Sequence, residues 1–290
     1  MEQFIANGLC KGSIYALVAL GFGLIYTTSG VFHLAHGAVY AVAAYFLYCL
    51  LALLHLPFSI AILSSVAIAM ALGVLIEIVV YRPLSNRKAS GTVMLISSLG
   101  VYIVLVNLIA LFFGNGSQIL RSGAESTIIL GNIILTKVQV AQFVVSLFFI
   151  IIYWLFLRWS PLGRVCRAVA DDAELASVLG VKVEATRLLV IAVGSSLAGV
   201  AATLSALDVG IDPFIGFPIV LVAVVACIIG GLHRFISPAL GGFLIGLMQS
   251  LIVWMTSAQW ETAVTFALLI IFLLLRPQGL LGIRQRFEET

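Results

Sequence analysis

Uncharged, mostly apolar runs follow one another along this chain, each about 20 residues long and so long enough to cross a bilayer as a helix. The first covers residues 4–28 and carries Gly8, Gly12, Gly21 and Gly23. Gly8 and Gly12 form the G-x-x-x-G spacing that lets helices approach closely. A break at residues 29–37 precedes a second run ending near Leu54, and a third fills 58–80. Others cover 92–113, 138–157, 188–207, 219–232, 236–255 and 262–275. The pattern predicts nine spanning segments, with eight or ten also compatible because several are interrupted by Gly or Pro. It predicts an all-α transmembrane bundle forming a single domain over residues 1–290.

The polar breaks differ sharply in charge. Residues 158–187 hold nine of the chain's 27 charged residues, 15 of the total being basic and 12 acidic. Within this stretch Asp171 is placed to cap a short helix, with Glu174 at its third position completing a capping box. Leu175, Val178 and Leu179 give that helix an apolar stripe, and Gly180 ends it in the left-handed conformation. A short amphipathic helix in a polar loop suits contact with another protein at the membrane surface. Residues 81–88 form a second basic loop. The loop 114–137, with its Asn, Gly, Ser and Thr, Arg121 and Glu125, reads as a water-facing segment on the opposite side.

Twelve of the fifteen basic residues fall on the side of the 158–187 loop, which the positive-inside rule assigns to the cytoplasm. The amino terminus is then outside and the carboxyl terminus inside. A composition 62% hydrophobic and 9% charged excludes a soluble domain, and the basic residues serve topology rather than nucleic-acid binding. The beginning lacks a basic region of the kind that opens a signal peptide, so no cleavage is expected. Cys10, Cys49, Cys166 and Cys227 lie far apart and read as small packed hydrophobes.

No residue set has the pattern of a catalytic site, and the chain contains neither a nucleotide-binding loop of the G-x-x-x-x-G-K-[ST] kind nor an H-E-x-x-H. His33 and His36, three apart, have no carboxylate or thiol nearby, so no metal site is expected. Irregular backbone at membrane depth is tolerated only beside protein or a water-filled cavity. The break around His33, His36 and Gly37 is therefore either part of a solute path or a site of tight packing around glycine. Charges inside spans are rare because burial is costly. Lys11 and Glu77 qualify, and structural pairing is the expectation for both, with Arg82 the partner for Glu77. An ion-coupled carrier would be expected to show more intramembrane carboxylates. Driving energy is therefore expected to arrive from another chain, while an ion-coupled secondary carrier or channel remains the alternative of a different class, with a membrane-embedded enzyme weaker still.

Glu174 to Gly180 resembles the E-A-A-x-x-x-G loop of bacterial ABC importer permeases, with Leu175 in place of the first alanine. The surrounding residues, from Leu162-Gly163-Arg164 through Arg167-Ala168-Val169-Ala170 to Leu179-Gly180-Val181, are similar to the branched-chain amino acid permease family of the LivH and LivM type. Gly12-Ser13-Ile14-Tyr15-Ala16-Leu17 with Ala35-His36-Gly37 resembles that family's amino-terminal signature, although Ala38 stands where an acidic residue is common. Gly210 to Asp212-Pro213, Ile229-Gly230-Gly231-Leu232, Pro238 to Gly242 and Leu275 to Leu280 continue the likeness. Val222 replaces a frequent Lys, and His233-Arg234 a usual Gly-Ser.

The resemblance implies a permease of an ATP-binding cassette importer in the bacterial inner membrane. It would work with a second permease subunit, homologous or identical, a pair of cytoplasmic ATPase subunits that use the ATP, and an extracytoplasmic solute-binding protein. The chain itself needs no cofactor. Branched-chain or related hydrophobic amino acids are the implied cargo, with urea, short amides or another small solute as the rival within the family. Coupling to the ATPases falls on Arg164, Arg167, Asp171, Glu174, Ala176 and Gly180. The translocation path falls on Ser13, Tyr15, His33, His36, Gly37, Asp212, Gly230 and Gly231.

Overall fold

A computed structural model describes residues 1–120, 126–231, 234–276 and 278–281. Arg121, Glu125, Leu232 and His233, named above, lie outside the described residues, as does Pro277 within the Leu275 to Leu280 stretch. Among the described residues eight helices are long and apolar enough to cross a membrane, and a ninth, shorter one joins them.

The elements begin with α1 (Glu2–Ser29) and α2 (His36–Tyr48), the latter running on through a π-helical turn, Cys49–Leu53. Next, α3 (Phe58–Ile76) passes through a second such turn, Glu77–Tyr81, into α4 (Arg82–Asn86). This rod continues through Tyr81–Asn86, which the sequence had as loop; Pro83 is accepted there because it falls in the first turn of α4. Then come α5 (Gly91–Phe113), β1 (Thr127–Leu130), β2 (Ile133–Thr136) and α6 (Lys137–Trp159). The cytoplasmic stretch holds α7 (Pro161–Asp171) and α8 (Ala173–Val178), so it is mostly helix rather than one short helix in a loop. The last elements are α9 (Val183–Asp208), α10 (Gly216–Gly230), α11 (Ser237–Met255) and α12 (Glu261–Leu275).

The hairpin β1–β2 pairs antiparallel from Thr127 opposite Thr136 to Leu130 opposite Ile133. Gly131, with φ at 61°, occupies the positive-φ position that its two-residue turn demands. Thr136 caps α6 in a full capping box with Gln139. Tryptophans mark the bundle's two ends: Trp159 is exposed at the end of α6 that leads into the charged stretch, while Trp254 and Trp260 are exposed at the opposite end, where α11 and α12 meet.

Burial separates the helices into a centre and a shell. The most apolar window of α1 is 83% buried and that of α9 67%, whereas the segment containing α12 is only 6% buried. A helix apolar on all faces belongs either in a core or in lipid. Here α1 and α9 take the core and α5, α6 and α12 the lipid-facing shell.

At the centre α1 and α9 cross at Gly21 and Gly194. A Cβ on Gly21 would lie 2.6 Å from the Gly194 carbonyl oxygen, and one on Gly194 would lie 2.7 Å from that of Gly21. The same reciprocity recurs where α2 begins against α10, since Gly37 and Gly216 each leave no room for a Cβ on the other. Exchanging α1 with α9, α2 with α10 and α3 with α11 maps the packing onto itself: α1 against α11 becomes α9 against α3, and α1 against α10 becomes α9 against α2. Four spanning segments separate α1 from α9, so by the assignment of the basic loops to the cytoplasm the two run in opposite directions. The bundle is therefore built on an inverted repeat whose pseudo-two-fold passes through the two glycine contacts.

Candidate functional site

The cytoplasmic face is assembled by local chemistry. Ser160 caps α7, its Oγ accepting from the Gly163 amide at 2.8 Å, and Pro161 supplies a first-turn φ. Gly163 seats the helix on the end of α6, where a Cβ would come within 2.6 Å of the Leu157 Cα. Arg167 Nη1 donates to the Leu157 carbonyl, satisfying an acceptor that the end of α6 leaves over. Cys166 and Val169 are buried beneath, and burial pushes the Cys166 thiol up from its ordinary pKa.

The cap of α8 is Asp172, not Asp171. The latter is the last residue of α7, whereas Asp172 has extended backbone and its Oδ1 accepts from the amides of Glu174 and Leu175, both at 2.9 Å. Glu174 accordingly stands at the second helical position, and Leu175 occupies the third, so there is no capping box. At the other end Gly180 has φ at 87°, with its amide bonded to the Ser177 carbonyl and that of Val181 to the Ala176 carbonyl. This is the paired-bond terminus that left-handed glycine makes possible. Ala176 faces inward and is buried, while Leu175, Val178 and Leu179 are 57%, 78% and 76% exposed. Arg164, Asp171, Glu174 and Gly180 lie on the exposed side, and Arg167 is half-buried against α6.

This face is fastened to the bundle through α9. Arg82 in α4 pairs with Glu184 at 2.5 Å, and Arg187 donates to Ser85 Oγ at 2.9 Å. Arg82's partner is thus Glu184 rather than Glu77, which is buried in a small cavity shared with Arg82, Glu184 and Arg187.

The residues assigned to the path do not meet in one place. Ser13 bonds to the Cys10 carbonyl within its own helix. Tyr15 donates to Gln249 at 2.9 Å, and Gln249 in turn donates to Thr265 at 2.7 Å, linking α1 through α11 to α12. His33 and His36 are fully buried at the break. His33 Nδ1 lies 2.7 Å from the Tyr81 hydroxyl, which donates to Ser98 Oγ at 2.7 Å; Ser98 accepts also from the Ala35 amide at 2.9 Å. His36 fills the space beside Gly21, and Gly37 the contact with Gly216. Among the described residues no three His, Cys, Asp or Glu come together as a metal site would need.

Asp212 accepts from the Phe214 amide in the outer link before α10. Gly230 and Gly231 lie at the far end of that helix, against Ser237 and Gly279 respectively. Leu280 and Leu281 donate to the Ile229 and Gly230 carbonyls, so two family-like segments distant in sequence lock together. Sequence reasoning missed a cavity of about 400 Å³ between the outer ends of α1, α6, α9, α10, α11 and α12. Of the assigned path residues only Tyr15 lines it; Lys11, Gln142, Asp208 and Glu261 do so too. Lys11 pairs with Glu261 at 2.5 Å, which supplies the partner its intramembrane position demands.

A multi-pass bundle with inverted repeats, a broken-helix centre and a cytoplasmic helix presenting bare apolar side chains has the build of a membrane permease. Residues 4–273 match the family model described as branched-chain amino acid transport system / permease component. The chain is 33% identical to the high-affinity branched-chain amino acid transport system permease protein LivH of Salmonella typhimurium, an alignment covering 97% of this chain and 95% of the other. To the corresponding protein BraD of Pseudomonas aeruginosa it is 34% identical over the same shares of both chains. Its fold is also that of PsaBC from Streptococcus pneumoniae, solved in complex with a Fab, with a TM-score of 0.54 at 15% identity over 95% of this chain and 92% of that one. The chain belongs to the branched-chain amino acid permease family.

Proposed function

We propose that this multi-pass protein of the bacterial inner membrane is the permease subunit of an ATP-driven importer for branched-chain or related hydrophobic amino acids. It pairs with a second permease, identical or homologous, receives its cargo from an extracytoplasmic solute-binding protein, and is driven by separate ATPase subunits that hold the ATP. The observation that carries this reading is the bare apolar face of α8. Leu175, Val178 and Leu179 stand in a polar, cytoplasmic setting, where burying each would contribute roughly 1.5–3 kcal/mol. An ATPase groove is the occupant the family implies.

The mechanism follows from how α8 is held. Asp172 and Gly180 fix both of its ends, Ala176 seats it, and α7 and α9 carry it rigidly into α6 and the central helix. Closure of the ATPase pair moves α8, and the movement reaches α9 at its crossing with α1, exposing the path to each side in turn. The chain breaks no bond itself.

Gly180→Trp tests this, because a side chain at positive φ is strained and the ring would stand in the docking face. The expected outcome is normal membrane insertion with ATP hydrolysis uncoupled from leucine uptake, read in vesicles as at least a tenfold loss of uptake per ATP. Normal uptake by this variant would defeat the coupling role. Leucine accumulation in liposomes holding the permease alone, driven by an ion gradient, would favour a secondary carrier instead.

A further inference from the structure

We infer that the outer cavity is a binding site for the zwitterionic head of an amino acid, held inside one permease subunit. The inference rests on the transport reading above and deepens it by naming the recognising groups. The cavity, at about 400 Å³, falls in the range of small-molecule sites. Its walls come from the ends of six helices that the loop charges place on the outer side.

Three observations fix the ligand class. First, Lys11 and Glu261 put a cation and a carboxylate in the cavity wall on different helices, α1 and α12, their side chains 37% and 27% exposed. A zwitterion offers the complementary pair, its carboxylate for Lys11 and its ammonium for Glu261, so binding substitutes two ion pairs for one and buries no net charge. Second, Gln142 is only 4% exposed, and its Oε1 has no hydrogen-bond partner although its Nε2 donates to the Cys10 carbonyl. A buried acceptor left unmade is costly, and a ligand ammonium would satisfy it. Third, Ile14, Ile215, Ile219 and Val253 line the same cavity and give an aliphatic side chain an apolar wall. An anion or a cation alone would answer to one member of the ion pair and strand the other.

Equilibrium binding of radiolabelled L-leucine to the assembled permease–ATPase complex in nanodiscs, without the solute-binding protein, tests the inference. Saturable binding is expected, displaced by unlabelled leucine and at least tenfold less well by isoamylamine, which lacks the carboxylate, or 4-methylpentanoate, which lacks the ammonium. Val253→Trp, which fills the cavity, and the double variant Lys11→Met with Glu261→Met, which removes the pair without stranding either charge, should each weaken leucine binding at least tenfold. Displacement by the amine or the acid as strong as by leucine would overturn the inference, with no variant involved. So would absent leucine binding in a complex whose binding-protein-dependent leucine uptake is intact, and that result would leave the transport reading standing. Absent leucine uptake by the complete wild-type system would instead remove the transport reading and this inference with it.

Discussion

The cytoplasmic helix α8 and the central crossing of α1 with α9 are specified in opposite ways. In α8 every contact that shapes the ends joins residues no more than five apart: Asp172 to Glu174 and Leu175, Gly180 to Ser177, Val181 to Ala176. At the crossing the decisive neighbours, Gly21 and Gly194, come from opposite repeats. The first region holds its shape by local capping and leaves its apolar side chains bare. The second holds by the absence of side chains, since lipid offers no hydrophobic drive between helices and close packing must supply it. The region around α8 can thus be changed without unfolding the bundle, while the crossing cannot.

Gly194→Leu should break that contrast most severely. The new side chain would meet the Gly21 carbonyl and Ile25 where even a Cβ lies at 2.7 and 2.8 Å, and backbone cannot step aside as a flexible side chain can. Overpacking of this sort costs typically 1–3 kcal/mol, more where backbone is the obstacle. Monodisperse protein recovered from membranes should fall several-fold, and what remains should melt at a markedly lower temperature. A Gly194→Leu protein as stable as wild type would show that the crossing is not close-packed.

Tyr81→Phe sharpens the same comparison at a smaller scale. It removes the hydroxyl that ties His33, on the break, to Ser98 on α5, and leaves a fully buried ring nitrogen without its partner. The penalty expected for one unsatisfied buried group is about 1–3 kcal/mol, seen as a lower melting temperature in nanodiscs with insertion unaffected. An unchanged melting temperature would mean that water or a shifted rotamer replaces the phenol.

What the sequence disclosed follows the same division. The spans, the break at His33 to Gly37, the exposed stripe Leu175, Val178 and Leu179, and the turn at Gly180 were legible, because each depends on hydrophobic length or on neighbours within a turn or two. The β-hairpin after α5 was read as a polar loop because its two strands are only four residues each and share no long periodicity. The inverted repeat left no usable trace, since its contacts require only small residues at the crossings, and small residues recur throughout the chain. Lys11 stood out as a charge within a span, but nothing local pointed to Glu261, 250 residues away. Glu77 drew Arg82 as a partner by proximity, yet Glu184 won that arginine when α9 was brought alongside α4.

The smallest expected effect separates two adjacent carboxylates. Because Asp172 is the cap, Asp172→Ala strips an acceptor from the amides of Glu174 and Leu175 and should cost the helix about 0.5–2 kcal/mol, whereas Asp171→Ala removes only an exposed group from the end of α7. The global melting temperature should hardly respond to either, because α8 is short and packs on the bundle mainly through Ala176. Amide hydrogen exchange over residues 173–180 is the sensitive measurement: faster in Asp172→Ala, unchanged in Asp171→Ala, and restored by Asp172→Asn, whose side-chain oxygen still accepts. On the proposed coupling role of α8, uptake should follow exchange, with a modest loss for Asp172→Ala alone. Equal exchange in the two alanine variants would place the rigidity of this helix in its glycine terminus and its seating by Ala176, and not in its cap.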